Sequence, residues 1–207
     1  KIGIVDFTRG ELGTRGTPEI RLAESAAATE ILGIQARENL GLADGFFVND
    51  QASQLKLIEV IRAYQPDIVL ANALEDRHPD HGKGAQLAID ACFLSGLRKI
   101  ETSRNGEKQT EWRPKQVFHY IQDRYLEPDF VIDITEHWST KEAAIRAFRS
   151  QFFDPNSNEP ASYISSPDFL NFIEARAREM GHKIGVRYGE GYQTQKTIAI
   201  KDLSTIA

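Results

Sequence analysis

The sequence has little cysteine, no long apolar run and no excess of positive charge, and each shortage removes a class of protein. One cysteine, Cys92, in 207 residues excludes an intrachain disulfide framework. It lies in the apolar run from Ala85 to Leu94, where a small core thiol is a better reading than a nucleophile. No stretch approaches the roughly 20 apolar residues that span a bilayer. A net charge of −5 without any Lys/Arg block gives no footprint for nucleic acid or for an anionic membrane surface. Repeats and low-complexity segments are absent as well. What is left is an ordinary globular composition, 41% hydrophobic and 27% charged, long enough for one core over residues 1–207. A reducing, cytoplasmic setting is the expectation.

The pattern predicts strands alternating with helices. Ile2 to Phe7 reads as a buried strand, followed by a glycine-rich loop and a helix from Pro18 to Leu32 capped by Thr17. Gln35 to Leu40 is a second strand, Gln51 to Tyr64 a helix, and Asp67 to Ala71 a continuous apolar strand of sheet-interior type. A helix from Pro79 to Gly96 follows, then a surface loop from Lys99 to Arg113. Strands at Gln116–Gln122 and Phe130–Ile134, helices at Thr135–Phe152 and Pro167–Met180, and a strand at Thr197–Lys201 complete the prediction. This is a Rossmann-like α/β fold, mostly parallel, with helices on both faces and sites at the carboxyl ends of strands. The abrupt opening on a central-type strand creates the expectation that an earlier element precedes Lys1.

Chemistry concentrates in Glu75-Asp76-Arg77-His78-Pro79-Asp80-His81, at a strand-to-helix turn. Pro79 suits a first helical position, which puts His81 in the first turn, facing the strand end. Neutral imidazole is a good zinc ligand, and a carboxylate can orient it through its second nitrogen. The alternative is that Asp80 merely complements the helix dipole and that either histidine is a polar residue in a surface turn. His81 alone does not make a zinc site, and His119, His137 and His182 read as structural or solvated.

Two further segments leave alternatives open. Gly10, Gly13 and Gly16 after the first strand suit an anion cradle or simple turn geometry, and their spacing matches no nucleotide-binding fingerprint. Nearby, Arg21 in the first turn of the helix is a candidate partner for an acidic group on a substrate, or for a structural ion pair. Gly185 to Tyr192 reads as a pocket rim or as a glycine-rich turn into the last strand.

These segments, in this order, resemble the LmbE-like (PIG-L) zinc deacetylases, above all the bacillithiol-pathway branch that deacetylates N-acetylglucosaminyl malate. The likeness rests on Thr8-Arg9-Gly10-Glu11-Leu12-Gly13-Thr14-Arg15-Gly16-Thr17, Glu24, Arg77-His78-Pro79-Asp80-His81, Ser150-Gln151-Phe152 and Tyr188-Gly189-Glu190-Gly191. The resemblance implies zinc bound by His81, a catalytic His78 oriented by Asp80, and Arg21 as a substrate-binding residue. It implies a small-molecule N-acetylglucosamine conjugate with an acidic group as partner, and a homo-oligomer. The family's His-Pro-Asp-Asp motif, which carries the remaining ligands and the general base, has no counterpart here and is expected upstream of Lys1. Phe169 stands about where some relatives carry an oxyanion-binding tyrosine. A nucleotide-sugar or phosphate-binding transferase built on the Gly10–Gly16 loop, and a non-catalytic binding protein, are the alternatives.

Overall fold

The structure, a computed structural model, describes residues 1–205. Strand β1 (Gly3–Asp6) leads into helix α1 (Pro18–Ile31), strand β2 (Ala36–Asn39), helix α2 (Gln51–Tyr64) and strand β3 (Ile68–Ala71). Helix α3 (Pro79–Leu94), the short strands β4 (Ser103–Arg104) and β5 (Glu107–Lys108), and strands β6 (Gln116–Tyr120) and β7 (Phe130–Asp133) come next. Helix α4 (Trp138–Arg146), helix α5 (Pro167–Lys183) and strand β8 (Gly189–Gln193) follow.

The local signals set the helix starts. Thr17 accepts the Ile20 amide, Asp50 accepts the Ser53 amide, and Pro79 occupies the first turn of α3. Buried Arg62 closes the far end of α3, donating to the carbonyls of Ser95, Leu97 and Ile100.

The strands form a parallel pair β1–β2 and a four-stranded sheet in the order β3–β6–β8–β7. β3 and β6 are parallel, whereas β8 is antiparallel to both β6 and β7. β3, β6 and β7 therefore share one direction and β8 alone is reversed; the α/β fold is as predicted, with a mixed sheet in which β8 makes two antiparallel pairings. The main core joins Ile58 and Leu87, on α2 and α3, to Ala71, with Val5, Val69 and Val117 packed against it. A second cluster joins Trp138, Ala177 and Tyr188. There the α5 backbone comes so close to β8 that a Cβ on Gly189 would lie 2.7 Å from the Gly181 amide nitrogen.

Several expectations are corrected. β3 is not buried on both faces: Val69 and Ala71 meet the core, but Ile68 is 55% and Leu70 54% exposed. β1 is only half-buried, with Gly3 exposed. Among the described residues, β1 pairs only with β2 and β3 only with β6.

The helix predicted over Thr135–Phe152 is a 3-10 turn (Thr135–His137) followed by α4, which stops at Arg146. Beyond it, the Ser150 amide is taken by the Glu24 carboxylate at 2.6 Å instead of continuing the helical ladder. The last strand is β8, and Thr197–Lys201 is irregular. The 99–113 loop holds the β4–β5 hairpin, turned by Asn105 and Gly106, both at positive φ.

Candidate functional site

A cleft of about 1530 Å³ opens beside the carboxyl ends of β1 and β3. Asp6, Arg21, Asn72, His78, His81, Tyr120 and Tyr163 are among its lining residues. A small-molecule pocket is typically about 300–1,000 Å³, so the space exceeds what one such ligand requires.

His78 and His81 lie together, with ring centroids 5.2 Å apart. Their ring nitrogens are committed in opposite ways. His78 caps α3, and its Nδ1 accepts the Asp80 backbone N–H at 3.3 Å, which leaves the ring proton of the neutral form on Nε2. The Nδ1 of His81 faces the Asp76 carboxylate at 2.5 Å, which assigns its proton to Nδ1 and leaves the Nε2 lone pair free.

Asp76 is the carboxylate the sequence reading passed over. Its side chain is fully buried, and its other oxygen accepts the backbone N–H groups of Asp123 (3.1 Å) and Arg124 (2.8 Å). Burial would raise its pKa. The amides, led by that of Arg124, and the His81 ring outweigh it and hold the carboxyl below its ordinary value.

Asp80 is placed differently from the expected orienter of His78. Its oxygens take the Gly45 N–H at 2.7 Å and the Lys83 ammonium at 3.2 Å, and it makes no side-chain bond to the His78 ring. Lys83 also donates to the Gly45 carbonyl. The motif turn thereby grips the 43–47 loop. Asp44 of that loop accepts the Leu12 amide and the Thr8 hydroxyl, which holds the glycine-rich loop in turn.

The glycine amides of that loop are spent within the protein rather than turned to an anion. The loop amides at Arg9, Gly10, Leu12, Gly13 and Gly16 donate to Glu11, Thr8, Asp44, Gly10 and Glu159 respectively. The glycines instead make room for Arg21. Its guanidinium passes beside Gly10 and Gly13 and donates to the Arg15 carbonyl at 3.1 Å, while its buried Nε has no partner. Arg15, the other arginine at this edge, is buried and structural, bonded to the Ser150 and Pro160 carbonyls and to the Ser157 hydroxyl.

Phe169 does not line the cleft and packs among Phe152, Tyr163 and Phe172. Tyr163 does line it, under the Arg77 guanidinium at 4.3 Å. His119 is buried and bonded to the Asn72 carbonyl at 2.8 Å, the structural role read for it. Burial pushes the Cys92 thiol up to about 12, as fits an inert core residue. In the 185–192 segment, Tyr188 stacks on Trp138 at 4.6 Å and Gly189 admits α5, so the structural reading holds there too.

The described residues contain no group of three His, Cys, Asp or Glu able to hold a metal. They fit a metal in part: His81 has the form of a single ligand with its second nitrogen fixed. No helix among them is long and apolar enough to cross a membrane.

Comparison with known proteins relates the chain to a family of deacetylases and hydratases. The family model described as PIG-L, GlcNAc-PI de-N-acetylase, matches residues 1–92. A conserved protein from Thermus thermophilus is similar in structure, with a TM-score of 0.83 at 34% identity over 97% of this chain and 84% of that one. The N,N'-diacetylchitobiose deacetylase from Pyrococcus horikoshii has a TM-score of 0.76 at 26% identity, over 93% of this chain and 72% of that one. The 4-oxalmesaconate hydratase of Pseudomonas putida is 32% identical over 70% of this chain, and the match spans just over half, 56%, of the hydratase. On the family match and the 34%-identical relative together, this chain belongs to the PIG-L family.

Proposed function

We propose that the chain is the larger part of a zinc-dependent N-deacetylase, a hydrolase of the acetamide in an N-acetylglucosamine conjugate. N-acetylglucosaminyl malate, in bacillithiol biosynthesis, is the proposed substrate. The reading rests on one observation: two neighbouring histidines with opposite Nδ1 contacts, which assign to their neutral forms a lone pair at Nε2 of His81 and a proton at Nε2 of His78. The first suits a metal ligand. The second suits donation to an oxyanion or a leaving amine. Zinc, when bound, supplies Lewis-acid polarisation of the acetamide carbonyl.

In this reading His78 is the catalytic residue. Asp80 acts on it from the backbone, through its N–H, and serves the site mainly as a strut to Gly45. The Arg21 guanidinium, held at the cleft by the two glycines, binds a carboxylate such as that of malate. The remaining metal ligands and the general base come from a segment N-terminal to Lys1, carrying a His-Pro-Asp-Asp motif and seated against β1 and β3. Three features support that seat: the unpaired edges, the uncovered Ile68 and Leu70, and a cleft larger than a sugar conjugate needs. The working enzyme is proposed to be a cytoplasmic homo-oligomer.

A second reading, hydration of an unsaturated polycarboxylic acid such as 4-oxalmesaconate, is favoured by the 32% identity to the hydratase. Arg21 would serve a substrate carboxylate there as well. The two readings separate when zinc-loaded protein with the upstream segment is offered both substrate classes. Acetate release from the sugar conjugate supports the deacetylase. Water addition to the unsaturated acid without acetate release supports the hydratase. The transferase alternative is weakened, because the amides of all three loop glycines, Gly10, Gly13 and Gly16, are already bonded.

A further inference from the structure

Resting on the metal-dependent reading above, we propose that Asp76 is a positioning residue that fixes His81 as the Nδ1–H tautomer, and that the turn after β6 fixes Asp76. An ionised carboxylate only accepts hydrogen bonds, so its 2.5 Å approach to Nδ1 requires the proton to sit there. The other oxygen is occupied by the Asp123 and Arg124 amides, so the carboxylate is held from both sides. No neighbouring acid replaces it, because Asp80 is turned towards Gly45 and Lys83.

The turn is secured in its own right. Arg77 reaches the Asp123 carboxylate at 3.2 Å, and Arg176 on α5 donates to the Asp123 carbonyl at 3.2 Å. A chain of bonds thus runs from α5 through the 121–124 turn and Asp76 to the imidazole that faces the cleft. A carboxylate behind a ligand histidine sets ring orientation and raises ligand basicity, and its loss typically lowers metal affinity about 10- to 100-fold.

Asp76→Asn tests this sharply because asparagine carries a single acceptor oxygen. The two backbone amides claim that oxygen, and the NH₂ group is left facing Nδ1 of His81. His81 should then switch to the Nε2–H tautomer and lose its ligand lone pair.

The ring ¹⁵N–¹H spectrum of the metal-free chain reads the tautomer directly, with His81 assigned by the signals missing in His81→Gln. The expected result is Nδ1–H for His81 in the wild type, Nε2–H in Asp76→Asn, and an unchanged His78. Zinc affinity by chelator competition, in protein carrying the upstream segment, should fall about 10- to 100-fold in Asp76→Asn. An Nε2–H His81 in the wild type overturns the proposal even if the variant fails to fold. So does a tautomer unchanged by the substitution, or an inverted tautomer with unchanged zinc affinity. A wild type that binds no zinc counts against the metal reading, and the tautomer spectrum still decides whether Asp76 holds His81.

Discussion

A methyl group on Gly13 would stand 1.9 Å from Nη2 of Arg21, and one on Gly10 would stand 2.0 Å from Nη1. The two glycines therefore shape the path of one guanidinium. At Gly13 a side chain would strike the movable end of an arginine, so the cost there falls on the position of Arg21 rather than on the fold, whereas Gly10 is also needed for its positive φ.

Gly13→Ala is expected to raise the KM for an acidic substrate about tenfold or more, the scale of losing a charge-assisted bond. Stability should change by less than about 1 kcal/mol. Steady-state kinetics beside urea unfolding checks both. A large loss of stability, or an unchanged KM, contradicts the role given to Arg21.

Gly189→Ala should behave in the opposite way. Its Cβ would meet main-chain atoms of α5, at 2.7 Å from the Gly181 nitrogen and 2.8 Å from the Met180 carbonyl carbon. Backbone cannot swing aside as a guanidinium can, so β8 and α5 must separate. The expected loss is at least about 2 kcal/mol, the scale of an overpacked core, and the midpoint of urea unfolding reports it.

His119 predicts an acid-side loss of stability. Burial lowers its pKa against the smaller, opposing effect of the bond to the Asn72 carbonyl. Because its folded pKa lies below the unfolded value of about 6.5, the unfolded state binds the proton more readily. The contribution of neutral His119 is complete above pH of about 6.5 and is lost as the pH falls from there through the folded value. Unfolding free energies at several pH values between about 7.5 and 5 should fall more steeply in the wild type than in His119→Asn, even if that variant is less stable overall. Parallel slopes would contradict the assignment.

Much of this was legible locally. Thr17, Asp50 and Pro79 announce the starts of α1, α2 and α3, and the apolar spacing of Leu55, Ile58 and Ile61 gives α2 its buried face. The density of histidine and carboxylate at residues 75–81 marked the site. The Asn105-Gly106 pair was a readable hairpin signal inside a segment taken as plain loop.

What was not legible depends on contacts distant in sequence. Just beyond the end of α4, Glu24, 126 residues away, captures the Ser150 amide. The alternation of Ile198 and Ile200 resembles a strand, but the place between β6 and β7 belongs to β8, whose Gly189 permits the approach of α5. Asp76 was in plain view beside His78 and His81. Its importance comes from amides 47 and 48 residues further on, and nothing in the local spacing favours it over Asp80.

The account turns on His81 as a zinc ligand in an amide hydrolase. The most direct test measures zinc content and acetate release from N-acetylglucosaminyl malate, using wild type and His81→Ala proteins that both carry the segment upstream of Lys1. The account predicts one zinc per wild-type subunit with acetate release, and neither in the variant. Normal zinc content and an unchanged rate in His81→Ala would contradict it.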